Sequence, residues 1–524
     1  MKGRATKRAI LAALCVTAAP ALASCGLSAP TANGGTAATK SETIVAAGQA
    51  SLETLDPLQS SNADNDIFID AFYDRLVGFD SASKMIPKLA TAWEFNSDAT
   101  AVTLTLRDDV VFHSGNTFTA EDVKYTLDRA KKLASGSDAF IPAYASAKVV
   151  DDTHVTISLT RPSASFLSGL SYLYIVDSKL VRSNEGADDG QQWLATHDAG
   201  SGPYTLGGYK ANQEVSLSRF GKYWAMDDRR PHNVVLRMIN ESSLLRDELL
   251  TGNVDLGWGL APLDVKQLDG KSGLEGYSMP STRVTLGWLN TQGKVTGDRR
   301  VREAIQLAYD YEGHIKTALQ GSGEIARSVV PRGMDCVHEG PQPTRDVARA
   351  KHLLGEAGAA GATVTIAYDP AVPEFKLAGT LLENSLREIG LVVKVKTATF
   401  PQYMQLISSA ATTPDVAIAW DFAPYPDAGA VLDRSWNSKG IGQTNPSRYD
   451  NAQVDRLLEA ASTAKDPAAA CEAVVGVQKQ ILDDRAALYI AWPTVNGARN
   501  GKVAKIPYTP TSPTFDVSQL MLAK

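Results

Sequence analysis

Alternating apolar and polar residues predict several strands in the first half of the chain. The pattern is clear at residues 103–106, 155–159, 214–219 and 234–238, where every second side chain is apolar. Between the first two of these segments, Thr119 begins a predicted helix that has acidic residues in its first turn. The first half is therefore predicted to be mixed α+β.

The pattern changes between residues 283 and 490 and becomes typical of an α/β fold. Strand, helix, strand, helix and strand are predicted in turn at residues 363–367, 374–389, 391–395, 402–409 and 415–420. Such a succession implies a parallel sheet with right-handed crossovers. The first of these helices is predicted to face the core with Leu377, Leu381, Leu386 and Ile389. Two further helices, at 455–464 and 467–484, end the stretch.

The length of the chain and these changes of pattern predict several structural units. A chain of 524 residues is too long for one hydrophobic core. The predicted segments are residues 1–24, 25–41, 42–83, 84–200, 201–283, 284–490 and 491–524.

Residues 1–24 are typical of a secretory signal. A basic start is followed by an apolar run that is too short to cross a bilayer core of about 30 Å. The ending Leu-Ala-Ser-Cys at 22–25 resembles the bacterial lipobox, which implies that Cys25 becomes a lipid-bearing N-terminus. The alternative is an ordinary cleaved signal, and both readings take the protein out of the cytoplasm. Residues 25–41 are rich in Ala, Thr, Gly and Ser and are predicted to be a flexible tether.

Charge argues against nucleic acid as a partner. The formal charge is -6, and residues 1–24 contain four basic and no acidic residues, so the remaining chain carries -10. Nucleic-acid binding requires basic clusters, and a mildly acidic chain does not provide them.

Only one pair of cysteines is a candidate for a disulfide in the exported chain. Cys15 and Cys25 belong to the signal and the proposed anchor, so Cys336 and Cys471 remain in the exported chain. An exported pair favours a disulfide, although sequence alone leaves open whether the two approach each other. Two distant cysteines do not form a zinc site.

Six spaced segments together resemble one family. They include P-K-L-A-T-A-W at 87–93 and L-R-D-D-V-V-F-H-S-G at 106–115, followed by F-T-A-E-D-V at 118–123. The others lie at 51–57, 200–204, 299–308 and 348–358. In this order they are similar to extracellular solute-binding protein family 5 of ABC importers, the peptide- and nickel-binding type. The resemblance extends over nearly the whole exported chain.

The resemblance implies a fold and a function. The family fold has two lobes, an added subdomain in the first lobe, and a hinged ligand cleft between the lobes. The first lobe would comprise 42–83, the subdomain 84–200, and then 201–283 and 491–524, with 284–490 as the second lobe. The closed form would deliver a solute to a membrane permease. A monomer without a cofactor or metal is expected.

One family position differs here. Peptide binders of the family read Gly-Trp-x-x-Asp-Tyr-Pro-Asp-Pro, and the first Asp pairs with the ligand ammonium. The corresponding stretch here is A-W-D-F-A-P-Y-P-D at 419–427, in which Ala423 or Pro424 occupies that position. Asp421 is the nearby substitute. The departure weakens the expectation of an ordinary peptide ligand.

The candidate ligand contacts are aromatic and polar residues. Stacking on a ligand suits the aromatic ones, and Arg283 suits a carboxylate or phosphate. Arg283 and Asn290 are expected to flank the crossing between the lobes, and core packing is the competing role for Trp258 and Trp436. The set is Trp420, Asp421, Tyr425, Asp427, Trp436, Trp258, Arg283 and Asn290.

Motifs for catalysis are missing, which favours a binding protein over an enzyme. The sequence contains neither G-x-S-x-G nor H-E-x-x-H, and Val265 replaces the first Gly of a phosphate loop before Gly270-Lys-Ser. An oligopeptide is the leading ligand class. The alternatives are a non-peptide solute, such as an oligosaccharide, opine-like compound or metal chelate, and a sensor or regulatory lipoprotein on the same fold.

Overall fold

The computed structural model describes residues 42–50, 52–59, 63–134, 137–163, 165–210, 213–423, 425–464, 466–506 and 515–524. The predicted signal, Cys25 and the tether lie outside these residues. The first elements in chain order are strand β1, helix α1 and the antiparallel strands β2 and β3, at Thr43–Gly48, Ala63–Phe72, Val77–Phe79 and Met85–Pro87.

The added segment is a small α+β unit with its own core. Its elements are β4 (Ala90–Phe95), β5 (Ala101–Leu106), α2 (Ala120–Leu133), β6 (Tyr144–Asp151), β7 (His154–Leu159), α3 (Phe166–Leu170), α4 (Ser178–Ser183) and α5 (Gln191–Leu194). The strands form an antiparallel sheet in the order β4-β5-β7-β6. Helix α2 begins where the sequence predicts, and the Asp122 carboxylate accepts a hydrogen bond from the Thr119 N–H at 2.8 Å.

The first lobe continues with a sheet built around β1. The elements are β8 (Tyr204–Lys210), β9 (Glu214–Arg219), β10 (Asn233–Met238), α6 (Ser242–Leu250), β11 (Leu256–Trp258), α7 (Pro262–Leu268) and β12 (Leu274–Pro280). The strand order is β11-β1-β10-β9-β8, and β1 is parallel to both β10 and β11. Helix α1 packs on one face of the sheet and α6 with α7 on the other, since their apolar residues belong to two separate cores.

The second lobe begins with β13 (Arg283–Leu289), α8 (Arg299–Ala308), α9 (Tyr311–Thr317), β14 (Gly323–Ile325) and α10 (Val347–Glu356). It continues with β15 (Thr363–Tyr368), α11 (Pro373–Glu388), β16 (Val392–Thr397), α12 (Phe400–Ile407), β17 (Val416–Phe422), α13 (Ala428–Trp436), α14 (Ala452–Thr463) and α15 (Pro467–Asp483). Strands β16, β15 and β17 are parallel neighbours, and β13 is antiparallel to β17. The predicted parallel sheet is therefore present.

One long strand joins the two lobes. Strand β18 (Ala487–Asn500) pairs with β13 and β14 through its first half and with β12 and β11 through its second half. The predicted boundary at 490/491 falls inside this strand, and that at 283/284 falls at the start of β13. The sheets of the two lobes are therefore joined into one continuous sheet of twelve strands.

The predicted core face of α11 is partly wrong. Leu377 is 41% exposed and Leu381 only partly buried, whereas Phe375, Ala378 and Leu382 are buried. The buried stripe follows the 3.6-residue period through small residues, so choosing only large aliphatic side chains shifts the predicted face.

The described residues contain one disulfide, between Cys336 and Cys471, whose Cα atoms are 5.2 Å apart. None of the helices in the described ranges combines the length and apolarity that a membrane crossing needs. Across the same ranges, His, Cys, Asp and Glu form no group of three that would hold a metal ion.

Candidate ligand-binding cleft

The two lobes meet at the carboxyl ends of their parallel strands. Strand β13 is antiparallel to β17, so its first residue, Arg283, lies beside Phe422 at the carboxyl end of β17. Strand β12 has the same direction as β1 and β11, and it ends at Pro280, where Thr494 of β18 is its partner. Both crossings therefore connect the carboxyl edge of one sheet to that of the other. Ligands of open α/β sheets bind at this edge.

The crossings are short and hydrogen-bonded. Between β12 and β13 only Ser281 and Thr282 intervene, and both are buried. The Ala423 N–H donates to the Thr282 carbonyl at 3.0 Å, and the Ser322 hydroxyl donates to the Asn496 side chain at 2.8 Å. Few residues carry the chain between the lobes, which is typical of a hinge.

Trp420 is held on several sides. Its Nε1 donates to Glu374 at 3.1 Å, and its ring meets the ring of Phe375 with the centres 4.7 Å apart. The guanidinium carbon of Arg283 lies 4.5 Å from the Trp420 ring centre. The indole therefore packs against protein groups, and the charged group that it supports is Arg283.

Glu374 is a functional candidate that sequence reasoning missed. Besides Trp420, its carboxylate accepts a hydrogen bond from Thr285 Oγ1 at 2.5 Å. The buried His314 places Nε2 3.6 Å from the same carboxylate, and its Nδ1 lies 2.9 Å from the Tyr309 hydroxyl. A polar network of α9, α11, β13 and β17 thus fixes the position of Trp420.

Asp421 points to the opposite face of β17 from Trp420, because successive side chains of a strand alternate. It is 3% exposed and forms an ion pair with Arg434 of α13. Burial raises the pKa of Asp421, and the Arg434 charge opposes that rise. The Arg434 guanidinium lies 4.5 Å from the centre of the Phe422 ring. Asp421 is therefore engaged by protein rather than open to a ligand ammonium.

Tyr425 and Asp427 lie where the second lobe contacts the added segment of the first. The Tyr425 ring centre is 6.3 Å from that of Phe140. Asp427 caps α13 by accepting from the Ala430 N–H at 3.0 Å. Burial raises the pKa of Asp427, and a hydrogen bond from the Ser168 side chain opposes the rise. These two residues connect the lobes beside the cleft.

Three of the residues predicted from the sequence lie in a hydrophobic core or at the far end of a strand from the crossing. Trp258 is 1% exposed in the first-lobe core, where its Nε1 donates to the Gln49 carbonyl at 3.0 Å. Trp436 is fully buried and stacks on Trp288 with ring centres 5.0 Å apart. Asn290 follows the last residue of β13, about 20 Å along the strand from Arg283. Asn290 therefore lies at the opposite end of β13 from Arg283.

Two exposed aromatic residues at the second-lobe edge were not predicted. Phe400 is 67% exposed at the start of α12, separated from the end of β16 by two residues. Phe422 is 51% exposed at the end of β17. Exposed aromatic rings at the carboxyl edge of a sheet suit ligand contact. The signal available in the sequence was the position of each ring within five residues of the end of a predicted strand.

Comparisons with known proteins show which family this chain matches and which proteins it is similar to. The family described as "Bacterial extracellular solute-binding proteins, family 5 Middle" matches residues 84–443. The chain is 26% identical over 490 residues to "Probable D,D-dipeptide-binding periplasmic protein DdpA" of Escherichia coli (strain K12), covering 90% of this chain and 93% of the relative.

A second relative and a solved structure extend the likeness. The chain is 25% identical to "Glutathione-binding protein GsiB" of Pectobacterium atrosepticum, covering 88% of this chain and 90% of that protein. The fold is similar to that of the periplasmic binding protein DppA of Helicobacter pylori in complex with the peptide STSA, with a TM-score of 0.78. That likeness has 23% identity and covers 92% of this chain and 98% of the other.

Proposed function

Because the chain belongs to the bacterial extracellular solute-binding proteins of family 5, we propose that it captures a peptide-like solute between its lobes and delivers it to the permease of an ABC importer. The observation that supports this most directly is the junction of two carboxyl edges by two short crossings, at Ser281–Thr282 and within β18. A solute bound there touches both lobes, so its binding energy favours the closed state.

The peptide-like class has support from the relatives. Two are named for binding a D,D-dipeptide and glutathione, and a protein of similar fold holds the peptide STSA. The role proposed is binding without catalysis, as in the family. A non-peptide solute such as an opine-like compound is the second candidate, because Ala423 or Pro424 stands where peptide binders of the family are expected to carry the ammonium-binding Asp.

Closure would bring the segment with Tyr425 and Asp427 against the added segment of the first lobe. The contacts that support this are the pairing of the Tyr425 and Phe140 rings, the Ser168–Asp427 hydrogen bond, and a 2.7 Å hydrogen bond from the Ser83 hydroxyl to the Gly333 carbonyl. All three connect residues far apart in the chain, so opening the lobes would break them together.

The ligand identity is tested by native mass spectrometry of the mature protein purified from its own cells. Release of a mixture of short peptides is expected. A single non-peptide mass would favour the second candidate. A protein that carries nothing, and whose gene deletion leaves peptide uptake unchanged, would favour a sensor or regulatory role and contradict the transport proposal.

The proposed location is the outer face of the cell membrane, held by lipid on Cys25. Cys25→Ala is expected to release the protein from the membrane fraction, because a thioether-linked lipid needs that sulfur. Cys15→Ala is the matched control, since Cys15 lies in the predicted signal and its loss leaves the anchor in place. Membrane retention of the Cys25→Ala protein would contradict the anchor.

A further inference from the structure

A serine at the tip of a turn in the first lobe is covered by the second lobe. Ser83 lies in the turn between β2 and β3 and is 4% exposed, whereas Ala82 and Lys84 on either side of it are exposed. The Ser83 hydroxyl donates a hydrogen bond to the Gly333 carbonyl at 2.7 Å, 250 residues further along the chain. Because the tip of a turn ordinarily faces solvent, the burial of Ser83 marks a contact between the lobes.

The loop that receives Ser83 is long and irregular. Residues 326–346, all within the described ranges, connect β14 to α10 without forming a helix or a strand. Loops of more than about 15 residues without secondary structure are uncommon in compact domains and are often functional. Without support, a loop of this length would sample many conformations, and each closure of the lobes would have to order it again.

Helix α15 supports this loop at two levels. Cys336 is bonded to Cys471, and two turns further along the same helix the buried Gln478 donates to the Cys336 carbonyl at 2.7 Å. The side-chain oxygen of Gln478 accepts from the His338 N–H at 2.8 Å and from the Ser328 hydroxyl at 3.0 Å. All of these groups belong to the second lobe, so the support does not depend on the first lobe.

A second contact between the lobes uses the same helix. Asp335 forms a backbone bridge to Asp427, whose carboxylate accepts a hydrogen bond from the Ser168 side chain of the added segment. A Cβ atom at Gly429 would lie 3.2 Å from Val474, so the start of α13 packs directly on α15. Two hydroxyls of the first lobe therefore donate to two oxygens of the second lobe, and α15 supports the segments that carry both oxygens.

We propose that residues 333–336, supported by the disulfide and Gln478, form a latch that holds the closed state through Ser83. The support removes in advance the conformational freedom that the loop would otherwise lose at each closure. A larger fraction of the protein is then closed, and the apparent affinity for a solute rises, although the latch does not touch the solute. This inference rests on the proposed function, because it concerns the closure that accompanies solute binding.

The test measures solute retention and lobe closure separately. The mature protein is immobilised, freed of its resident solute by partial unfolding and refolding, and loaded with a random tripeptide library. The retained peptides are quantified by mass spectrometry. The radius of gyration of each protein without peptide is measured by small-angle X-ray scattering, since opening of the lobes increases it.

Ser83→Ala tests the contact between the lobes. The substitution removes the donor to Gly333, and it is expected to lower peptide retention about fivefold, the effect of one hydrogen bond of ordinary strength. The radius of gyration is expected to increase. Ser81→Ala lies in the same turn with an exposed side chain, so it is the matched control and is expected to change neither quantity.

The double variant Cys336→Ser/Cys471→Ser tests the support of the loop. It is expected to lower retention by the folded protein about fivefold, as Ser83→Ala does. Adding Ser83→Ala to the double variant is expected to lower retention less than twofold further, because the loop that Ser83 contacts is no longer fixed. If the disulfide only stabilised the second lobe, Ser83→Ala would keep its full effect.

Unchanged retention by the Ser83→Ala protein would overturn the latch. A full Ser83→Ala effect in the disulfide-free protein would overturn the role of the disulfide. If the double variant does not fold, the same comparison is made on folded wild-type and Ser83→Ala proteins whose disulfide has been reduced with a phosphine. If the wild-type protein retains no peptide, the proposed function fails for peptides, and scattering decides the latch alone: equal radii of wild-type and Ser83→Ala proteins would overturn it.

Discussion

Two ion pairs of this protein, one in each lobe, differ in how many of their charged atoms have a hydrogen-bond partner. The side chains of Asp56 and Arg129 are at most 2% exposed. The guanidinium donates a hydrogen bond to each carboxylate oxygen, at 2.9 and 2.5 Å. Arg129 Nε also donates to the Asp189 carbonyl, and Asp56 accepts from the Leu58 N–H. Both charged groups are thus fully embedded in hydrogen bonds.

The pair at the cleft is incomplete by comparison. Arg434 contacts one oxygen of Asp421, and the other oxygen, Oδ2, is buried with no hydrogen-bond partner among the described residues. Arg434 remains 31% exposed. A buried charge with an unsatisfied oxygen costs stability, and such sites cluster where function requires them. The first-lobe pair is satisfied entirely by protein groups, whereas the pair at the end of β17 leaves one carboxylate oxygen unsatisfied beside the proposed cleft.

The largest expected effect is on the first-lobe pair. Asp56→Ala leaves the Arg129 guanidinium buried without its counter-charge, so we expect a loss of about 3–5 kcal/mol in the free energy of unfolding, measured with urea. Ligand affinity of the folded fraction is expected to stay unchanged. Lys210→Ala breaks an exposed pair with Glu214 and is the control, with no measurable loss expected.

Equal stability of the Asp56→Ala and wild-type proteins would contradict the structural role of the buried pair. A stable variant with weakened binding would reverse the comparison, because it would make the first-lobe pair the functional one.

A smaller effect is expected at the cleft pair. Arg434→Met removes the charged partner of Asp421, whereas the Ser435 hydroxyl still donates to the same carboxylate, so we expect a loss of about 2 kcal/mol in the free energy of unfolding. The variant is also expected to bind its ligand about tenfold more weakly, which corresponds to about 1.4 kcal/mol. The double variant with Asp421→Asn is expected to regain stability but not affinity. Recovery of both would indicate that Arg434 acts only as the partner of Asp421.

Most strands and helices could be predicted from the sequence, because each depends on a local pattern of apolar and polar residues. Strand β9 and helix α15 follow from the alternation of apolar residues and from helix-start residues, and the parallel order of β15, β16 and β17 follows from the helices between them. The cleft depends instead on contacts between distant residues. Arg283 reaches Trp420 only because β13 and β17 are antiparallel with that register.

The same limit applies to the positions of the candidate site residues. Asn290 is seven residues from Arg283 in the chain, and the sequence alone does not show that a straight strand separates them. The partner of Asp421 lies on a different element, thirteen residues away. Side-chain direction and strand register are set by packing of the whole lobe, so no local pattern reports them.

A third ion pair, between Asp70 and Arg75, predicts how the stability of the protein depends on pH. Asp70 forms an ion pair with Arg75 at 2.5 Å and accepts from the Tyr174 hydroxyl at 2.8 Å. Burial raises the Asp70 pKa to about 7, with the Arg75 charge opposing and the charges of Asp66 and Asp516 adding to the rise. The folded state therefore holds a proton that the unfolded chain releases near pH 4.

This raised pKa makes Asp70 favour folding at low pH. Its contribution is fully present below about pH 4 and is lost as the pH rises through about 7. Between pH 6 and 7.5 the wild-type protein is expected to lose about 1 kcal/mol relative to Asp70→Asn, measured by urea unfolding of both proteins. Parallel pH profiles of the two proteins would contradict a raised pKa at Asp70.

The smallest effect on stability is expected at Phe400, where a substitution is expected to change ligand affinity and leave stability almost unchanged. Its ring is 67% exposed, so Phe400→Ala is expected to change the free energy of unfolding by less than about 0.5 kcal/mol. Ligand affinity is expected to fall about threefold to tenfold, because a bound ligand would cover the ring. Tyr209→Ala is the matched control, since that ring is 45% exposed on β8 of the first lobe. If both variants bind as the wild-type protein does, the exposed Phe400 ring is not part of the ligand contact.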